Sequence, residues 1–263
     1  MDGVMIFNLK NSIIFLTGPN GHLGTAMAEI LAENQATLIL ASRNYEKNVA
    51  LAQRLTQAYG NINFPCICDV ENETSVIDAV DSVISQFGKI DVLINNAAYS
   101  KGTLLHQMSQ EEWQKGIDGS VTTVFRCIKA IIPNMILNKL GKIINVSSMY
   151  GIVAPDVSIY KNNSFYNPVN YGVGKAGVIQ LTKYVASVYG QSGITCNCIS
   201  PGPFPNQVVQ KDKEFIDILS KKNPLGRIGT PEDIKGVVLL LASQASNFIN
   251  GANIVVDGGW TIW

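Results

Sequence analysis

The sequence predicts an α/β fold: a doubly wound parallel sheet of about seven strands with helices on both faces, forming a single domain over 1–263. Three observations predict it. Short apolar runs recur along the chain. They are nearly continuous in apolar residues rather than alternating, as in strands covered on both faces. Longer segments with helical spacing separate them. In order, the runs are SIIFLT (12–17), TLILA (37–41), INFPCI (62–67), IDVLI (90–94), KIINVS (142–147), ITCNCI (194–199) and NIVV (253–256). Between them, TAMAEILAE, SVIDAVDSVISQF and VFRCIKAIIPNMIL read as helices. Right-handed crossovers then make the strands parallel, and ligands bind beyond the carboxyl ends of strands where strand order reverses. The residues just after each strand therefore carry the functional information.

With 263 residues, 46% of them hydrophobic, the chain is long enough for one large core. Its formal net charge of +0 gives no electrostatic case for nucleic acid or an anionic membrane as partner. The N-terminus lacks the pattern of a signal peptide, and no apolar run approaches the roughly 18–20 residues of a spanning helix. A soluble, cytoplasmic chain is expected. Four of the five cysteines form Cys-x-Cys pairs, Cys66/Cys68 and Cys196/Cys198, inside strand-like runs. Alternate strand residues share a face, so each pair has the geometry to hold a metal. With no histidine nearby, core packing is the better reading, and no metal site is expected. Nothing calls for disulfides, in keeping with a reducing compartment.

After the first strand the chain reads Thr17-Gly18-Pro19-Asn20-Gly21-His22-Leu23-Gly24. Three glycines between a strand and a helix let backbone N–H groups approach a pyrophosphate at the positive end of the helix dipole. A tight turn needing positive φ would explain one glycine but less easily three. A second feature is Tyr171-x-x-x-Lys175, placed just after Pro168, which suits a helix start. Residues four apart share a helix face. Free tyrosine, with a pKa of about 10, needs a nearby cation to act as a base at neutral pH. On spacing alone, a surface aromatic beside a solvated lysine is the better reading.

Taken in order, these motifs resemble the short-chain dehydrogenase/reductase family, from about residue 10 to the C-terminus. They are Thr17–Gly24, Asp69 after the third strand, Asn95-Asn96-Ala97-Ala98 after the fourth and Ser147-Ser148 after the fifth. Tyr171/Lys175, Pro201-Gly202 after the sixth and Val256-Asp257-Gly258-Gly259 follow. SSMYG, NPVNYGVGKAG, SPGPFPN and VDGGW are further similar to a bacterial subgroup associated with flagellin-glycan and surface-sugar clusters. The resemblance implies a Rossmann-like fold and an enzyme that interconverts a carbonyl and a secondary alcohol by hydride transfer with a nicotinamide cofactor. It implies that Tyr171 exchanges the proton, Lys175 lowers its pKa and holds the nicotinamide ribose, and Ser148 hydrogen-bonds the reacting oxygen. It places Gly18, Asn20, Gly21, His22, Leu23, Gly24, Asp69, Val70, Asn96, Ala97, Pro201 and Gly202 against the dinucleotide. Asn95 would brace the sheet centre and the cofactor loop, and Asn206 takes the place of a threonine that touches the carboxamide.

Three departures stand out. The glycines are spaced Gly-x-x-Gly-x-x-Gly, as in the longer sugar-nucleotide epimerase branch, with His22 where the shorter branch has glycine. The usual catalytic asparagine falls on Ser120. The stretch between Ser148 and Tyr171 is longer than usual, and MYGIVAPDVSIYKNNSFYNPVN should form a loop over the substrate. Residues 203–223 read as a mobile amphipathic segment closing over substrate, and TPEDI (230–234) as a capped helix start. Asp69 serves equally as cap of the helix containing SVIDAVDSVISQF.

An acid ending the second strand would select NAD. Here Ser42 and Arg43 stand instead and can hold a 2′-phosphate, so NADP(H) is favoured over NAD(H). Arg43 pairing with Glu46 is the alternative. Two other functions stay open: a nucleotide-sugar epimerase or dehydratase, and a non-catalytic NAD(P)-binding regulatory or scaffold protein. The expected partners are a small-molecule substrate and further copies of the chain, as a tetramer or dimer, through helices around 117–138 and 168–190.

Overall fold

The computed structural model describes residues 6–100, 103–160 and 167–263. Seven strands form one parallel sheet: β1 (Ile13–Thr17), β2 (Thr37–Ser42), β3 (Asn63–Ile67), β4 (Val92–Asn95), β5 (Gly141–Val146), β6 (Ile194–Pro201) and β7 (Asn253–Val256). Their order is β3-β2-β1-β4-β5-β6-β7. The chain winds outward from β1 to β3, then crosses back to start again at β4. The reversal opens a crevice at the carboxyl ends of β1 and β4.

Both faces of each central strand are buried, which is why the runs read as continuous apolar stretches. On one face Ile14 and Leu16 pack with α1 (His22–Glu33), α2 (Tyr45–Tyr59) and α8 (Lys235–Ala242). On the other, Ile13 and Phe15 pack with α3 (Glu73–Phe87), α5 (Thr123–Asn138) and α6 (Val169–Tyr189). All five cysteines lie in this second layer. Burial pushes the thiols up, Cys66 and Cys198 to about 11 and Cys127 to about 12. They are core thiols without thiolate character.

Helix α4 (Gln110–Ile117) runs into α5 through a π-type turn, Asp118–Thr122. The whole stretch Gln110–Asn138 is long and apolar enough, by length and composition, to cross a membrane, although no continuous apolar run within it reaches that length. Arg126 and Lys129 break the apolar run and hide it from a scan for continuous apolar residues. Half of its most apolar window is buried in the fold, where α5 packs on α3, β4 and β5.

A third apolar cluster lies beyond the strand ends. It joins Met149, Tyr150, Ile159 and Tyr160 to Leu219 of α7 (Lys213–Lys221) and to Trp260. The amphipathic segment at 203–223 thus contains α7, and its apolar side is docked rather than free.

Candidate active site and dinucleotide cleft

The glycine turn follows β1 directly. Gly18 has φ +66°, a conformation that L side chains rarely adopt. A Cβ on Gly24 would lie 2.1 Å from the Gly18 carbonyl oxygen, so only glycine lets α1 come this close to β1. Asn96 fastens the turn: its Nδ2 donates to the carbonyls of Thr17 (3.1 Å) and Gly18 (2.9 Å). Thr17 Oγ1 in turn accepts from the backbone N–H groups of Asn96 and Ala97, both at 3.0 Å. Asn95 braces the sheet centre, donating to Asn145 at 2.9 Å; the cofactor loop is braced by Asn96.

Beside this turn lies a cleft of about 340 Å³. Gly18, Asn20, Gly21, His22, Leu23, Ser42, Arg43, Asp69, Val70, Asn96 and Ala97 all line it, together with Glu71 and Tyr99. His22 is the first residue of α1, and its Nε2 is buried without a hydrogen-bond partner. Burial lowers its pKa, which keeps the imidazole neutral.

At the end of β2 a residue of the next helix organises the site. Asn48, fully buried in α2, accepts from Ser42 Oγ and Asn20 Nδ2, both at 2.6 Å, and donates to the Cys66 carbonyl at 2.8 Å. One buried amide thus ties the glycine turn, the β2 end and β3 together. Arg43 pairs with Glu71 at 2.9 Å, not with Glu46. The side chain of Asp69 accepts from Glu71 N at 3.0 Å, while the cap of α3 is Asn72. Asp69 shapes the loop and leaves helix capping to its neighbour.

Across the sheet, the paired serines after β5 divide their work. Ser147 Oγ donates to the Lys175 carbonyl at 2.8 Å and docks α6. The Ser148 hydroxyl accepts from Tyr150 N at 3.2 Å and lies near enough to Tyr171 to pull its pKa down. Lys175 Nζ lies 5.7 Å from the centre of the Tyr171 ring and donates to the Val146 carbonyl at 2.7 Å. Burial drives the Lys175 pKa down from 10.5 to about 8. Burial also raises that of Tyr171, and the nearby Ser148 only partly offsets it. Without a dinucleotide the phenol is therefore held neutral, a proton donor, where the sequence led us to expect a lysine-lowered base.

Ser120 sits in the π-type turn with no exposed surface, and its Oγ is buried without a partner. Its Cβ would lie 2.5 Å from a Cβ on Gly174, so the glycine one residue before Lys175 lets the kinked helix meet α6. Pro201 ends β6, and Gly202 packs so tightly on Asp257 that a Cβ would approach its Cα to 2.6 Å. Asn206 closes its own loop: its Oδ1 accepts from Val208 N (3.0 Å) and Val209 N (3.1 Å).

The long stretch before Tyr171 forms 3₁₀ turns at Met149–Gly151 and Val157–Tyr160; residues 161–166 of the expected loop lie outside the described residues. The hydroxyls of Tyr150 and Tyr160 meet at 3.0 Å, and Asn167 Nδ2 donates to Tyr160 at 2.6 Å. Lys222, just past α7, pairs with Asp156, and the Tyr160 and Phe215 rings sit 5.9 Å apart. The turn and α7 thus face each other close to Tyr171, which packs against the same cluster.

Residues 20–261 match the family model described as enoyl-(acyl carrier protein) reductase. The chain is 34% identical over 259 residues to the 3-oxoacyl-[acyl-carrier-protein] reductase FabG of Chlamydia pneumoniae, covering 98% of this chain and 100% of that protein. This chain belongs to the short-chain dehydrogenase/reductase family. It is also 32% identical over 261 residues to gluconate 5-dehydrogenase of Gluconobacter oxydans, covering 98% of this chain and 97% of that one. Among solved structures, gluconate 5-dehydrogenase from Burkholderia cenocepacia, in complex with NADP and tartrate, superposes with a TM-score of 0.89. The identity is 30%, and 98% of each chain is covered.

As a member of the short-chain dehydrogenase/reductase family, the chain is an NAD(P)-dependent oxidoreductase for carbonyl and alcohol groups. Its own residues fit the dinucleotide. The turn closes through Gly18 and Gly24, where side chains would collide, and it lines the cleft of about 340 Å³ beside it. Sequence reasoning missed Asn48 and Glu71. A polar residue one helical turn into α2 was the available signal for Asn48.

Proposed function

We propose that this enzyme uses NADP(H) in preference to NAD(H) and reduces the carbonyl of a sugar or sugar derivative. The observation that carries the catalytic reading is the convergence of Ser148, after β5, with Tyr171 and the buried Lys175 on one face of α6. When bound, the nicotinamide supplies or takes the hydride. Ser148 and Tyr171 hold the carbonyl oxygen between their hydroxyls. The neutral phenol of Tyr171 gives its proton to that oxygen as negative charge develops on it. Lys175, released from the Val146 carbonyl, turns its ammonium toward the ribose side and stabilises the phenolate left behind. In the oxidative direction the same groups run in reverse.

Several observations support the finer points. Arg43 and Ser42 line the adenosine end, and no acid ends β2. The Burkholderia neighbour was solved with NADP. Tyr150 and Asn167 line a pocket with otherwise mostly apolar walls beside the Met149–Gly151 turn, suited to a substrate bearing hydroxyls. The motifs SSMYG and NPVNYGVGKAG support a place among enzymes of surface-sugar metabolism. Residues 203–223 serve as the substrate cover. Exposed Phe125 on α5 and Val173, Tyr184 and Val188 on α6 support a dimer or tetramer built through these helices. Five unpaired buried thiols support work in the reducing cytoplasm.

The test is a fluorescence titration with NADPH and with NADH, followed by NADPH oxidation against keto-sugars and simple ketones. The proposal requires tighter NADPH binding and turnover of a hydroxylated ketone. Tighter NADH binding would overturn the cofactor preference. Turnover of apolar ketones alone would overturn the substrate class.

A further inference from the structure

The family reading places the acid that discriminates between the two dinucleotides at the end of β2. This chain has none there, yet a carboxylate does line the adenosine end. Glu71 comes from the loop after β3, and its Oε1 stands 2.9 Å from Arg43 Nη1. Parallel pairing of β2 with β3, with Ser42 opposite Ile67, brings these two loops side by side. Asp69 fixes the Glu71 backbone through the 3.0 Å bond to its N–H.

We propose that Glu71 is a specificity-determining residue: its carboxylate competes with a 2′-phosphate for Arg43 and limits the margin by which NADP(H) is preferred. This rests on the reading of Arg43 as the phosphate-holding residue. With NADP(H), Arg43 must leave Glu71 for the phosphate. The carboxylate then loses its partner and faces a group carrying close to two negative charges. With NAD(H), the pair stays intact, and Glu71 stands as an acceptor for the ribose hydroxyls, the role usually given to an acid ending β2. The Arg43 side chain is 68% exposed and that of Glu71 36%. Such a pair contributes little to folding, so exchange of partners is cheap and the electrostatics fall on binding.

The charged groups around the pair are few among the described residues. Asp69 lines the same cleft. Arg126 approaches from α5, donating to the Val70 carbonyl at 3.2 Å. The Tyr99 phenol, also in the lining, is raised chiefly by burial and further by Glu71, so the carboxylate is felt across the cleft. Arg126 is engaged with backbone, which leaves Arg43 as the cation free to exchange.

The experiment measures dissociation constants of NADPH and NADH for the wild type, Glu71→Gln and Arg43→Gln, at low and at high salt. Glu71→Gln should raise the preference for NADPH over NADH by about tenfold, equivalent to about 1.4 kcal/mol. NADPH binding should tighten, and the gain should shrink at high salt. Arg43→Gln should weaken NADPH selectively. If Arg43→Gln weakens NADPH while Glu71→Gln leaves the ratio unchanged, the role of Glu71 is overturned and the cofactor reading stands. If Arg43→Gln leaves NADPH binding untouched, the reading beneath the proposal fails as well.

Discussion

Replacing Lys175 with methionine should make this protein more stable and catalytically crippled at once. Lys175 is 4% exposed, and its ammonium holds only the Val146 carbonyl at 2.7 Å. Its pKa falls from 10.5 to about 8, which corresponds to roughly 3 kcal/mol of unfavourable burial at neutral pH. Methionine keeps the apolar stem and removes the charge. Leaving the Val146 carbonyl without a donor costs about 1 kcal/mol. The net expectation is a gain of about 2 kcal/mol and a melting temperature higher by about 4–8 °C. Turnover should drop by at least ~100-fold, in the range for lost acid–base assistance. The sign with pH follows from linkage. Between pH 8 and 10.5 the unfolded lysine binds a proton that the folded one has lost, so wild-type stability rises with pH and the gap to the variant closes. Urea unfolding at pH 7 and pH 9.5 reads both quantities. A variant no more stable than wild type at pH 7, or a gap unchanged at pH 9.5, would refute the argument.

Two further outcomes follow from the same geometry. Asn48→Ala removes the amide shared by Ser42, Asn20 and the Cys66 carbonyl, and should cost about 1–3 kcal/mol in urea unfolding. NADPH binding should weaken as the β2 end loosens, and unchanged affinity would separate Asn48 from the site. Gly174→Ala places a methyl 2.5 Å from Ser120 Cβ and should destabilise by about 1–3 kcal/mol through overpacking. Ser120→Gly should restore stability in that background, and its failure to do so would show that the strain lies elsewhere.

Much of the fold is legible because its signals are local. The apolar runs end within two residues of the observed strands at nearly every boundary, since strands buried on both faces leave no polar alternation to blur them. Ser148, Tyr171 and Lys175 are legible too, because their positions after β5 and along one turn of α6 are fixed by spacing. What the sequence hides are pairings across neighbouring elements. Arg43 and Glu71 lie 28 residues apart and meet only because β2 and β3 run side by side. Asn48 reads as a polar residue on a helix, and its burial depends on what α2 packs against. Burial equally decides the raised pKa of Tyr171. Asn206 fits a motif position, but the sequence does not show that its Oδ1 also closes its own loop.

The most direct measurement compares the wild type with Tyr171→Phe for NADPH binding and for a single turnover of NADPH with a carbonyl substrate. The account predicts similar NADPH affinity in the two proteins and oxidation of NADPH only when Tyr171 carries its hydroxyl. Turnover retained in Tyr171→Phe would contradict the assignment of Tyr171 as the proton donor. NADPH bound by both proteins but oxidised by neither, across keto-sugars and ketones, would leave a binding protein in place of an enzyme.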